Sequence, residues 1–396
     1  MVLRDALRYL PAGEYRRYAD WLLDQPAYRR RWLQVLGVPA LLQLTRALLA
    51  GLVSETTIDR VLTGSAPPLL SYLIWEAASD NLAIGQGHRS AADPSFPQRR
   101  VLVRQFNDMM IARLTGAAAD VPVSGGVSLV RQSLSESEHR ALLSGYLAAV
   151  PGADGHEIEF AVGPVLAANA AAAERAVETM SANAAGPLFR DGLLRRYRAV
   201  NALLDGPSAG PEALRIGTDA ILVAPTLAYL IAAVHPLENL PAALPGTLRE
   251  AGLLVRLLND CGTQVLEQSA AERREFLGRL RRVGGTVAEA LVAVAGAETG
   301  RLVKDIRFGE FNVCLDGVRD LSGPAGFDEF RDRLDLAVAA YRRSWAGLRA
   351  GVARLESDDP GVPWRVIERF VAFHRRMYSA AFETAVGEYA IADPPP

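Results

Sequence analysis

Apolar residues along this chain recur at intervals of three and four almost throughout, while alternation with period two is nearly absent. This is the pattern of helices that each bury one face. Gly and Pro punctuate it into segments. Short helices are predicted over 14–23, 27–36 and 40–52, separated by Pro26, Pro39 and Gly51. Pro67 and Pro68 open a strongly apolar helix over 69–84, which Gly85-Gln86-Gly87 ends. Further helices are predicted near 100–114, 136–149, 157–182, 188–204, 211–234 and 242–270, followed by Ala-rich helices to about 310. After a break at 317–326, two long helices close the chain over 327–355 and 363–389. The polar segment 85–97, with His88, Arg89, Asp93 and Pro94, has the length of a lid. The Gly/Pro/Ser-rich connection 117–127 is the weakest point of an otherwise single unit, and Asp393-Pro394-Pro395-Pro396 reads as a frayed tail. The fold class expected is all-α.

One polar stripe interrupts the predicted helix 242–270. Asn259, Thr263 and Glu267 stand at i, i+4 and i+8 in an apolar setting of Leu257, Leu258, Val265 and Leu266. A continuous helix stacks them on one face, about 6 Å apart. An amide oxygen, a hydroxyl and a carboxylate are hard ligands of the kind Mg²⁺ takes. With one carboxylate among them, much of the cation's charge stays free to hold an anion. The competing reading is an amphipathic helix whose polar face meets water.

The stretch Asn259-Asp260-x-x-Thr263-x-x-x-Glu267 resembles the second metal-binding motif of class I terpene synthases. That resemblance covers about twenty residues. It implies a large antiparallel helical bundle around a central apolar cavity, a prenyl diphosphate as substrate and three Mg²⁺ ions as cofactors. It also implies a homodimer as an expected assembly. The first acidic motif of that family is not present as DDxxD, since the Asp358-Asp359 pair falls in a late loop. Glu76 and Asp80, one turn apart before the lid-like segment, are the best substitute, and Asn107-Asp108 is the rival. The resemblance further assigns diphosphate sensing to Arg215, with Gly217 as the helix break. It assigns a closing Arg-Tyr pair to Arg376 and Tyr378, with Tyr341-Arg342-Arg343 as the alternative. Trp75 and Phe106 are each expected either to line the cavity or to sit in plain core.

Composition narrows the function. Half of the 396 residues are hydrophobic and the net charge is −2, so there is no basic footprint for nucleic acid. Two cysteines exclude a disulfide framework and suit a reducing cytoplasm. Five scattered histidines lack zinc-site spacing. The longest apolar run, 220–234, contains Pro225 and reads as a core helix rather than a membrane span. The N-terminus meets Glu14, Asp20 and Asp24 too soon for a signal peptide's apolar centre. Aromatic residues make up only 7% of the chain, which favours a roomy aliphatic pocket and a C20 substrate, linear or already cyclised. No DxDD motif is present for protonation-initiated cyclisation, and chain-elongating prenyl transfer lacks its two Asp-rich motifs. The activity that the resemblance implies is that of a lyase of isoprenoid biosynthesis, which releases diphosphate and steers a carbocation to a cyclic or rearranged terpene. The alternative is a non-catalytic α-helical interaction protein or a degenerate synthase relative.

Overall fold

A computed structural model describes residues 2–36, 41–83, 95–123, 125–131, 136–206 and 210–379. The expected lid falls mostly outside these residues, as does everything after 379, including the expected tail. The described chain is helical nearly throughout, as the periodicity requires. It opens with α1 (Val2–Leu7), α2 (Glu14–Asp24), α3 (Pro26–Val35), α4 (Leu41–Leu49) and α5 (Glu55–Arg60). Ser54 caps α5 by accepting the Thr57 amide. A π-helical turn then leads into α6 (Ala66–Asp80), whose Pro67 sits in the first turn, where a missing N–H costs nothing. Next come α7 (Phe96–Leu114), α8 (Glu136–Ala149), α9 (Gly155–Glu159), α10 (Val162–Thr179) and α11 (Gly186–Asp205).

The expected helix over 211–234 is divided into α12 (Gly210–Asp219) and α13 (Val223–Val234). Pro225 gives the reason: it has no N–H for the Ile221 carbonyl, and its ring crowds that position. The stretch Gly210–Val234 has the length and apolarity of a membrane span, yet 61% of its most apolar window is buried in the protein. The expected helix over 242–270 is divided as well, into α14 (Leu244–Cys261) and α15 (Thr263–Glu267). Between them Gly262 adopts φ 79° and ψ 154°, a backbone that residues with a Cβ rarely enter.

The chain continues through α16 (Ala270–Val283), α17 (Val287–Ala293), α18 (Gly300–Phe308), α19 (Gly323–Asp358) and α20 (Val366–Met377). Capping boxes start α16 (Ser269 with Glu272) and α17 (Thr286 with Glu289). One apolar core runs from Ala6 to Val371, with Leu114 and Val127 on either side of the 117–127 connection. Within it α6 packs on α10 and α1, α11 on α7 and α13, and α14 on α13, α19 and α20. Trp75 donates to the Ala6 carbonyl at 2.9 Å, and Phe106 meets Tyr197 edge-on, so both are core residues.

Candidate functional site

Helices α4, α6, α13 and α20 enclose an apolar cavity of about 210 Å³. Leu69, Leu70 and Leu73 form its α6 wall, Leu222, Val223, Thr226 and Leu230 the α13 wall, and Phe370 projects from α20. The break between α12 and α13 therefore lies in the cavity wall. Tyr229 and Phe370 supply the aromatic lining among the described residues. An apolar cavity of about 150 Å³ accepts a benzene ring, so 210 Å³ accommodates on the order of ten carbons. In this form it takes only part of a C20 chain.

The α6 wall continues into charge. Glu76 and Asp80 lie three and seven residues beyond Leu73, on the same face of the helix. Glu76 is buried, and its carboxylate is held by Arg196 at 3.0 Å, Asn169 at 2.7 Å and the Tyr197 hydroxyl at 3.2 Å. Burial raises the Glu76 carboxyl above its ordinary range, while Arg196 and then Asn169 oppose the shift. Asp80 shares Arg196 at 2.6 Å, but its side chain is 61% exposed. The cation between the two acids is thus an arginine from α11. Asn107 and Asp108 serve a different purpose: both bond to Asn201 and clamp α7 to α11.

The triad is placed differently from the sequence expectation. Gly262 divides the helix, so Asn259 ends one element while Thr263 and Glu267 lie on the next, and no single helical face carries all three. The Thr263 amide donates to the Tyr378 carbonyl at 3.1 Å instead of continuing the ladder of α14. Each triad side chain meets an arginine. The Asn259 side-chain oxygen accepts from Arg301, whose Nε also donates to the Asn259 carbonyl at 2.7 Å. The Thr263 hydroxyl donates to the Arg375 carbonyl at 2.6 Å. Glu267 receives Arg375 through both oxygens, at 2.7 and 3.0 Å, and the Tyr341 hydroxyl at 2.9 Å. The Arg375 hydrogen bonds, then those of Tyr341, draw the Glu267 carboxyl below its ordinary range.

The arginine and tyrosine that bond Glu267 are Arg375 and Tyr341, the latter from the alternative segment 341–343, while Arg376 and Tyr378, expected at the diphosphate, do not contact Glu267 through their side chains. Arg376 is exposed at the end of α20, and the Tyr378 ring lies 4.6 Å beneath the Arg301 guanidinium. Arg215 is also exposed, paired with Glu212 at 2.6 Å and Asp219 at 3.5 Å on its own helix. Gly217 is not the break, which comes at 220–222. Its missing Cβ makes room for Val313, Phe311 and Arg256.

A buried charged cluster ties α14 to α18 and to the segment that follows it. Arg256 and Asp260 pair within α14, and Asp260 also accepts the Val313 amide at 2.8 Å. Asn312 bridges the Asp260 carbonyl and Asp305, at 2.8 and 2.7 Å. Lys304 meets Asp305 at 2.5 Å and Glu310 at 2.6 Å. Burial raises Glu310, Lys304 opposes the rise, and the charges of Asp305 and Asp80 add to it. Arg301, also on α18, holds Asn259. The Arg256/Asp260 pair at i, i+4 on an apolar helix was readable as a buried ion pair. Arg196, Arg301 and Arg375 carried no comparable signal among 43 Lys and Arg residues.

Among the described residues, no three His, Cys, Asp or Glu side chains form a group able to hold a metal ion. The hard-oxygen donors of the kind Mg²⁺ takes are Asn259, Thr263 and Glu267, and separately Asp80, whose partner is Arg196; the Asn259 and Glu267 oxygens are taken by Arg301 and Arg375, and the Thr263 hydroxyl by a backbone carbonyl. No protein-family model and no curated protein matches this chain.

Proposed function

We propose that this chain is a Mg²⁺-dependent class I terpene synthase acting on a prenyl diphosphate. The observation that supports the reading best is an apolar cavity beside a broken helix, with polar clusters leading from two of its walls. Along α6 the wall runs from Leu73 to Glu76 and Asp80. Along α20 Phe370 leads to Arg375 and Tyr378, which touch the triad. A hydrocarbon tail would lie among Leu69, Leu73, Val223 and Phe370, which exclude water from a reactive carbocation. The diphosphate would stay at the charged rim, where Arg301 and Arg375 offer planar donor forks. Asn259, Thr263, Glu267 and Asp80 would hold Mg²⁺, which when bound neutralises charge developing on the leaving group. A cytoplasmic location belongs to the same reading, supported by two buried free thiols 3.5 Å apart.

The test is incubation with geranyl, farnesyl and geranylgeranyl diphosphates plus Mg²⁺, reading terpene products by mass spectrometry and released diphosphate by a coupled assay. Glu267→Ala and Asn259→Ala are expected to abolish release while far-UV circular dichroism stays unchanged. Near wild-type turnover in both variants refutes the metal assignment. A second reading, a non-catalytic helical relative, is favoured by one specific observation: every triad side chain is already bonded to an arginine residue. The absence of product and of diphosphate release with all three substrates would establish that reading.

A further inference from the structure

Glu267 is the only carboxylate of the triad, and both of its oxygens are engaged by one guanidinium. That guanidinium belongs to Arg375, whose backbone carbonyl also accepts the Thr263 hydroxyl, so a single position on α20 holds two of the three triad side chains. Tyr341 adds a third bond to Glu267 from α19. A carboxylate offers about four lone-pair sites, and three are used here. A divalent cation on Glu267 would also face the positive charge of Arg375 at close range.

We propose that Arg375 is a positioning residue that gates this centre by occupying, with its guanidinium, the place of a divalent cation on Glu267. The proposal rests on the diphosphate reading above and adds to it a competition that the reading alone does not require. Cation binding and the Arg375–Glu267 pair exclude each other. Release of Arg375 is felt along α20, because the Thr263 amide and hydroxyl bond to the Tyr378 and Arg375 carbonyls. The freed guanidinium keeps two parallel N–H donors, the geometry that grips two diphosphate oxygens.

Mn²⁺ titration of the full chain, with free ion read by electron paramagnetic resonance, tests this without reference to turnover. Arg375→Gln is expected to bind Mn²⁺ roughly five- to tenfold tighter than wild type, the scale of losing a half-exposed bidentate ion pair. Arg375→Lys, which keeps the charge but not the fork, should fall between them. The gain should vanish in the Arg375→Gln/Glu267→Gln double variant. Unfolding midpoints identify any variant whose fold is lost, in which case Arg375→Lys carries the test. If Arg375→Gln binds Mn²⁺ no better than wild type, while Glu267→Gln lowers wild-type binding, the gate is wrong and the metal reading stands. Absence of any Glu267-dependent Mn²⁺ binding in both backgrounds overturns the two together.

Discussion

Removing Arg196 should expose what the buried Glu76 network contributes. The Arg196 and Glu76 side chains are each only 7% exposed, and the 3.0 Å contact between them is supplemented by Asn169 and Tyr197. Arg196→Met keeps the aliphatic stem and leaves a buried carboxylate without its counter-charge, a change that costs about 3–5 kcal/mol. The Asp80 arm adds little, because that side chain is 61% exposed and screened by water. A loss of that size is a large part of a typical domain's total of about 5–15 kcal/mol. The double variant Glu76→Gln/Arg196→Met removes both charges and should recover most of it.

The pH dependence carries a sign. The folded Glu76 carboxyl already titrates above its ordinary 4.5, because burial outweighs Arg196 and Asn169. Losing Arg196 removes the largest opposing influence and raises it further. Between the ordinary and the raised value the folded state binds the proton and the unfolded state does not, so stability falls as pH rises. The deficit of Arg196→Met should therefore be larger at pH 8 than at pH 5. Urea unfolding followed by far-UV circular dichroism at both pH values measures it. A cost below about 1 kcal/mol, or an equal deficit at the two pH values, refutes a buried charged pair.

Two further outcomes follow from packing. Gly217→Ala places a Cβ 3.0 Å from Val313 Cγ1 and 3.1 Å from Phe311 Cε1, and should destabilise by about 1–3 kcal/mol, visible as a lowered urea midpoint. An unchanged midpoint would mean that α12 shifts freely over the 311–313 segment. Leu73→Trp fills the cavity from its α6 wall, and on the proposed activity should reduce turnover of farnesyl more than of geranyl diphosphate. A constant ratio of the two rates would remove the cavity from the hydrocarbon's path.

The helical fold was legible in the chain itself, while the breaks at 220–222 and Gly262 were not. Three- and four-residue periodicity dictates helices because only that geometry brings those positions to one face, and Pro67 acts on its own neighbours as a helix opener. The spacing of Asn259, Thr263 and Glu267 was equally plain, but their geometry was not. A glycine inside a helix costs only about 1 kcal/mol, so local sequence alone leaves Gly262 either inside a helix or at its end. The contacts decide: Arg301 packs against Gly262, and the Tyr378 carbonyl takes the Thr263 amide. The partners of the acids lay beyond local reading for the same reason. Arg196 is more than a hundred residues from Glu76, and so is Arg375 from Glu267. Their pairing depends on which helices meet, and that is set by burial of the whole core rather than by spacing along any one of them.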